Sequence, residues 1–241
     1  SKSIAKGLRD YHPVSSNLCA LEYYCGDMRT SIYGVCYGPY ILTTAHLIKE
    51  KGGWLKIRTK HGLFKLEAMD RVQIRELCGS DIIVIKGPKD MPPAPMRLKF
   101  RAPKSGERAV LVGFVDDNLD RQLVSDSSAV YRRENTGFWK HWITTKYGNC
   151  GLPMVSVDTM DIIGLHSLGA QNSNENYFAA LTDDFSKQFF EPETDVPWQR
   201  KWSYNADKVN YGTMDLTSNQ PSGAFKTTKL LEDLLEAVSH Q

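Results

Sequence analysis

A cysteine stands between two glycines in "YGNCGLP", residues 147–153. A thiol buried for packing needs neither glycine. A thiol whose sulfur must meet a carbonyl group can use both, because glycine lets the backbone turn sharply and brings N–H groups close to a developing oxyanion. Cys150 is therefore a candidate nucleophile, and the N–H groups of Cys150 and Gly148 are a candidate oxyanion hole. The alternative is a buried thiol in a tight turn. A nucleophilic thiol needs a base. Of the six histidines, His12, His46, His61, His141, His166 and His240, His46 has the best context. It ends "ILTTAHL", where an apolar strand gives way and an imidazole can point into a cleft. Asp81 opens "DIIVIKGP". A carboxylate directly before four apolar residues is costly if buried alone. It is either a strand-start residue or a group held at the strand rim to orient His46.

The order His46, Asp81, Cys150 is the chain order of the two-barrel serine proteases. In such a pair the protease thiolate has a pKa of roughly 3–4, so a resting ion pair is expected. A fourth candidate is His166 in "GLHS", 164–167. In that fold its strand lines the pocket for the side chain before the scissile bond. A neutral imidazole there, with a hydroxyl such as that of Thr145, can bind a glutamine amide and reject apolar isosteres. The other reading of His166 is a satisfied core histidine.

These groups must be positioned by short strands. Apolar runs are punctuated by glycine and proline. Residues 33–47 form two pieces kinked at Gly38-Pro39, and 54–68 form a hairpin about His61-Gly62. Further strands are expected at 81–88, 108–115, on both sides of the turn 158–161, and at 176–181. The proline-rich stretch 88–100 is an extended connector. The fold class is all-β: two antiparallel six-stranded β-barrels, the first over residues 1–117 with the His and Asp, the second over 118–220 with the Cys and the pocket. Residues 221–241 form a tail, with Leu230, Leu231, Leu234, Leu235 and Val238 at helical spacing.

Composition is ordinary for a soluble globular protein, with 41% hydrophobic and 24% charged residues in 241. No apolar run is long enough for a membrane span, and no membrane partner is expected. The net charge of +2 does not demand nucleic acid. Five cysteines with no C-x-x-C pair speak against a zinc knuckle and for free thiols in a reducing compartment. No metal and no cofactor are expected. The chain lacks an initiator Met, and is expected to derive from a longer one.

Taken together, "GLRDYHPVSS", "GPYILTTAHL", "DIIVIKGPKDMPPAPMRLKFR", "FWKHWITTKYGNCGLPMVS", "GLHSL", "NYFAA" and "YNADKVNYG" resemble the nuclear inclusion a proteases of potyviruses, over nearly the whole chain. These are chymotrypsin-like cysteine proteases. The resemblance implies a triad of His46, Asp81 and Cys150, a glutamine pocket built by Thr145 and His166, and a viral polyprotein as substrate. It implies that Tyr177, Val209 and Tyr211 line more distant subsites. Tyr147 stands where an Asp is common beside the pocket, and Tyr211 where a Trp is common. Leu168, Ala170, Ser173 and Glu175 depart from the best-known members along the substrate strand. The chain ends Val238-Ser239-His240-Gln241 and begins with Ser1. Both ends are expected to be made by the protease itself, cutting after Gln241 in a motif of the form Val-x-His-Gln before a small residue. The resemblance implies the host cytoplasm and nucleus; the sequence leaves the oligomeric state open, with a monomer expected. A second reading, non-specific RNA binding, rests on the family and on Arg97, Lys99, Arg101, Lys104 and Arg108. A third, an inactive protease-like binding module, is disfavoured by the intact triad.

Overall fold

The computed structural model describes residues 10–77, 79–134, 136–146, 148–170 and 174–190, and the strand pairing of 216–218. The expected helix at 227–238 lies outside the described residues. Two antiparallel sheets carry the chain. The first takes β1 (Leu18–Cys25), β2 (Met28–Tyr37), β3 (Tyr40–Thr43), β4 (Trp54–Thr59), β5 (Gly62–Leu66), β6 (Ile74–Glu76) and β7 (Ile83–Lys86), in the order β5-β4-β1-β2-β3-β7-β6. The second takes β8 (Arg108–Phe114), β9 (Gln122–Val124), β10 (Ser128–Ala129), β11 (Tyr131–Arg132), β12 (Phe138–His141), β13 (Pro153–Ser156), β14 (Ile162–Ala170), β15 (Asn176–Ala180) and β16 (Leu216–Ser218). Its main path is β10-β8-β13-β14-β15-β12-β11, with β9 on β8 and β16 on β14.

Among the described residues the strand counts are seven and nine rather than six and six. Short perimeter pieces such as β10 and β11 raise the number without changing the architecture. The strand at 108–114, expected in the first half, pairs with β13 and β9 in the second sheet. The changeover therefore falls between Lys86 and Arg108, in the proline-rich connector. That connector runs extended, touching the sheets through bridges at Gly38–Ala94 and Phe100–Ile162. The hairpin of β1 and β2, the longest among the described residues, begins well before the strand expected at residue 33.

The unbroken apolar run of β7 has a physical cause. Successive side chains point to opposite faces of a strand. Ile83 and Ile85 enter the core of the first sheet with Leu21, Ile41 and Ile57. Ile82 and Val84 enter the core that the two sheets share, with Val35, Leu42 and Val112. A strand covered on both faces has no use for polar alternation. At about 1.5–3 kcal/mol for each such side chain, this seam is a large part of what holds the sheets together. An aromatic cluster closes it. Tyr37 of β2 meets Phe100 of the connector edge-on at 5.2 Å, and Phe190, just beyond α1 (Phe185–Phe189), packs on both.

Arg101 then ties the connector to the second sheet. It makes paired bonds of 2.9 Å to Glu107 and one of 2.9 Å to Asp161, largely out of solvent. Burial pushes the Glu107 carboxyl up, but Arg101, the Lys104 amide and the Ser156 hydroxyl together hold it below its ordinary value. Arg108 likewise binds Ser127, so two of the five basic residues at 97–108 are committed within the fold. Removing one partner of a largely buried ion network leaves charge stranded. Arg101→Ala is expected to cost about 2–3 kcal/mol, below the range for a fully buried pair. The midpoint of urea unfolding measures it, and a shift equivalent to less than about 0.5 kcal/mol, the scale of an inert surface change, would contradict this role.

Candidate active site

Asp81 precedes β7 and is fully buried. It is not alone. Its Oδ1 accepts the backbone N–H of His46 at 3.0 Å, and its Oδ2 accepts His46 Nδ1–H at 2.5 Å and the Ser167 hydroxyl at 2.6 Å. Its own carbonyl accepts the N–H of Ala45 at 3.1 Å. His46 lies in the 3-10 turn Ala45–Leu47 that ends β3, and β3 pairs with β7 along its length. Strand pairing thus delivers the imidazole to the carboxylate. A proton held on Nδ1 by a carboxylate leaves the Nε2 lone pair as the basic position. The Thr44 hydroxyl lies 3.4 Å from that nitrogen.

Cys150 is also fully buried, and its Sγ donates to the Ser167 carbonyl oxygen at 3.2 Å. A carbonyl oxygen accepts from S–H and repels S⁻. The glycine frame now has a geometric account. Gly148 sits at φ +92° and Gly151 at +86°, in the left-handed region that favours glycine. A Cβ on Gly151 would lie 1.8 Å from the Tyr33 carbonyl oxygen. Tyr33 N–H in turn bonds the Cys150 carbonyl at 2.9 Å, so β2 of the first sheet grips the loop directly. Asn149 closes the loop on itself, its Oδ1 accepting Lys146 N–H at 2.6 Å. A cleft of about 480 Å³ runs along Gly148 and Asn149 between the sheets, past Tyr33, Phe114 and Leu152.

Ser167 and His141 were not singled out as site residues in the sequence. Strict alternation along β14 would send Ser167 to the face opposite His166. The β14–β15 register shifts there: His166 opposes Phe178, and Leu168 already opposes Tyr177. The extra residue is Ser167, and the bulge frees it to reach Asp81 with its hydroxyl and Cys150 with its carbonyl. His166 is fully buried, and its backbone brackets the nucleophile loop through bonds of 2.9 Å with Gly151 and Leu152. Its Nδ1 lies 3.2 Å from Nε2 of His141, a buried ring at the end of β12. Burial first, then the fields of His141 and His46, push His166 well below its ordinary pKa.

Thr145 is buried beside the loop. Leu168 and Tyr177 are buried and face each other across β14 and β15. The Tyr177 hydroxyl donates to Glu175 at 2.5 Å, and burial and that carboxylate raise its pKa. Tyr147, Ser173, Val209, Tyr211 and Gln241 lie outside the described residues. Among the described residues no three His, Cys, Asp or Glu side chains converge as a metal site, and no disulfide forms.

With this geometry in hand, comparison with known proteins is informative. The model of peptidase family C4 matches residues 1–232. The chain is 41% identical over 236 residues to a part of the genome polyprotein of Turnip mosaic virus (strain Japanese), covering 97% of this chain and 7% of that polyprotein. The corresponding match to the genome polyprotein of Beet mosaic virus is 42% identical over 236 residues, covering 97% of this chain and 8% of that polyprotein. The chain thus spans less than a tenth of the length of these relatives. Among solved structures, tobacco vein mottling virus protease superposes with a TM-score of 0.80 at 38% identity, over 86% of this chain and 95% of that one. Catalytically active tobacco etch virus protease complexed with product gives 0.77 at 39%, over 86% and 90%.

The Ser167 hydroxyl donates to a charged, buried acceptor, a bond worth about 1.5–3 kcal/mol. Ser167→Ala is therefore expected to lower kcat/KM by about 10- to 100-fold with the fold intact. Peptide cleavage kinetics beside circular dichroism test this, and an unchanged kcat/KM would remove Ser167 from the site.

Proposed function

The chain belongs to peptidase family C4 and is a cysteine endopeptidase of chymotrypsin-like fold, and we propose that it processes a viral polyprotein by cutting after glutamine, with Cys150, His46 and Asp81 as its triad. One observation carries the reading. A fully buried carboxylate, Asp81, binds His46 twice and Ser167 once, and the Ser167 carbonyl meets the sulfur of Cys150. Ser167 thus links the Asp81–His46 pair of the first sheet to the loop of Cys150, which supports this reading.

The steps follow from that arrangement. The thiol gives its proton to His46 Nε2, and the sulfur attacks the carbonyl carbon of the scissile bond. The developing oxyanion is met by the N–H groups of Cys150 and Gly148. Asp81 stabilises the imidazolium without taking its proton. His46 then protonates the leaving amine and a thioester remains on Cys150. Water, deprotonated by His46, releases the acid product and restores the thiol. His166 and Thr145 bind the glutamine side chain before the cut. The substrate is a segment of the polyprotein, in keeping with the genome polyproteins among the relatives and with a related protease captured with its product. A sequence of the form Val-x-His-Gln before a small residue is the expected site.

A peptide carrying Glu-Ala-Val-Ser-His-Gln-Ser tests this. The parent is expected to cut after Gln, and Cys150→Ala not at all. Asp81→Asn is expected to lower kcat by roughly 10⁴-fold, as loss of the orienting carboxylate does in a triad. Cleavage by the Cys150→Ala protein at the parent's rate would contradict the assignment of the nucleophile.

A further inference from the structure

His141 is a second imidazole without solvent access, lying directly behind His166. Its two nitrogens have different partners. The backbone N–H of Ile143 reaches Nδ1 at 3.1 Å. A backbone amide can only donate, so Nδ1 carries no proton. In the neutral ring the proton is then on Nε2. That nitrogen faces Nδ1 of His166 at 3.2 Å. Two acceptors cannot share such a contact, so His141 donates and His166 Nδ1 accepts. The proton of neutral His166 must therefore reside on Nε2.

Burial keeps both rings neutral, pushing His141 down to about 3 and His166 well below its ordinary value. The start of the chain is itself pinned, because Asn176 donates to the Ile143 carbonyl at 2.7 Å. Every hydrogen bond from the Ile143 amide through the two rings points the same way, and bonds so aligned polarise one another.

We propose that His141 is a positioning residue that fixes the tautomer of His166, so that the pocket offers an uncharged N–H donor to an amide carbonyl and selects glutamine over glutamate. This rests on the reading that His166 meets the glutamine side chain. A glutamine presents a carbonyl oxygen that such a donor satisfies. A glutamate carboxylate would face the same neutral imidazole and lose its hydration on burial, which is costly. Without His141, the proton of His166 can move to Nδ1. Nε2 then becomes an acceptor that opposes the amide oxygen lone pair to lone pair.

Two substitutions separate this role from packing. His141→Gln keeps an N–H donor within reach of His166. His141→Phe fills the space and offers none. Nitrogen NMR of the His166 ring reads the tautomer directly, without substrate. Cleavage of paired peptides with Gln or Glu before the cut reads selectivity. The parent and His141→Gln are expected to hold the proton on Nε2, with Gln-over-Glu ratios within about 3-fold of each other, since both keep the donor. His141→Phe is expected to populate the Nδ1–H form and to lose about 30-fold or more in kcat/KM on the Gln peptide, with the Glu peptide little changed. A parent with the His166 proton on Nδ1 overturns the proposal, even if His141→Phe does not fold. So does a folded His141→Phe protein with unchanged tautomer and selectivity. A parent that cuts after other residues as readily as after Gln would instead overturn the glutamine reading beneath it, whatever the tautomer.

Discussion

The structure depends on one buried charge. Asp81 has no contact with water, and an unpaired carboxylate there would cost several kcal/mol. It is tolerated because three donors converge on its two oxygens. Two come from His46, supplied by the strand next door. The third comes from Ser167, on the other sheet. The solvation of Asp81 by protein groups and the alignment of the sheets are therefore one condition. When the sheets are docked, Asp81 holds Nδ1 of His46 and the thiol of Cys150 lies beside the same serine. On the proposed function, docking is what assembles the triad.

Two local departures from regular structure make that docking close. Gly151 lets the loop lie against the Tyr33 carbonyl at a distance no side chain permits. The bulge at Ser167 turns a residue that alternation would send away toward Asp81 and Cys150. Each breaks the periodicity of its element where first and second sheet meet. The apolar seam through Ile82, Val84 and Val112 supplies the driving force for the contact, and these two irregularities set its geometry.

Much of this was legible from residue types alone. His46, Asp81 and Cys150 each stand at the edge of an apolar run, where a polar residue needs a reason. The strands at 54–59, 83–86 and 162–170 carry clear turn signals at their ends. The β1–β2 hairpin was harder to read, because its buried positions include Cys19, Tyr23 and Thr30, whose hydropathy marks no face. The run 108–114 carries no sign of which sheet it joins, since both of its faces are buried. Ser167 and His141 were invisible for a different reason. Their roles exist only through contacts with residues distant in the chain, Ser167 with Asp81 and His141 with His166, and spacing encodes neither.

The central claim is that the buried Asp81 activates Cys150 through His46. The most direct measurement is alkylation by a short peptide ending in a glutamine vinyl sulfone, with the adduct mapped by mass spectrometry and its rate compared between the parent and Asp81→Asn. The account predicts one equivalent of adduct, on Cys150 alone, forming much more slowly in Asp81→Asn. Adducts spread over Cys19, Cys25 and Cys36, or a rate indifferent to Asp81, would contradict it.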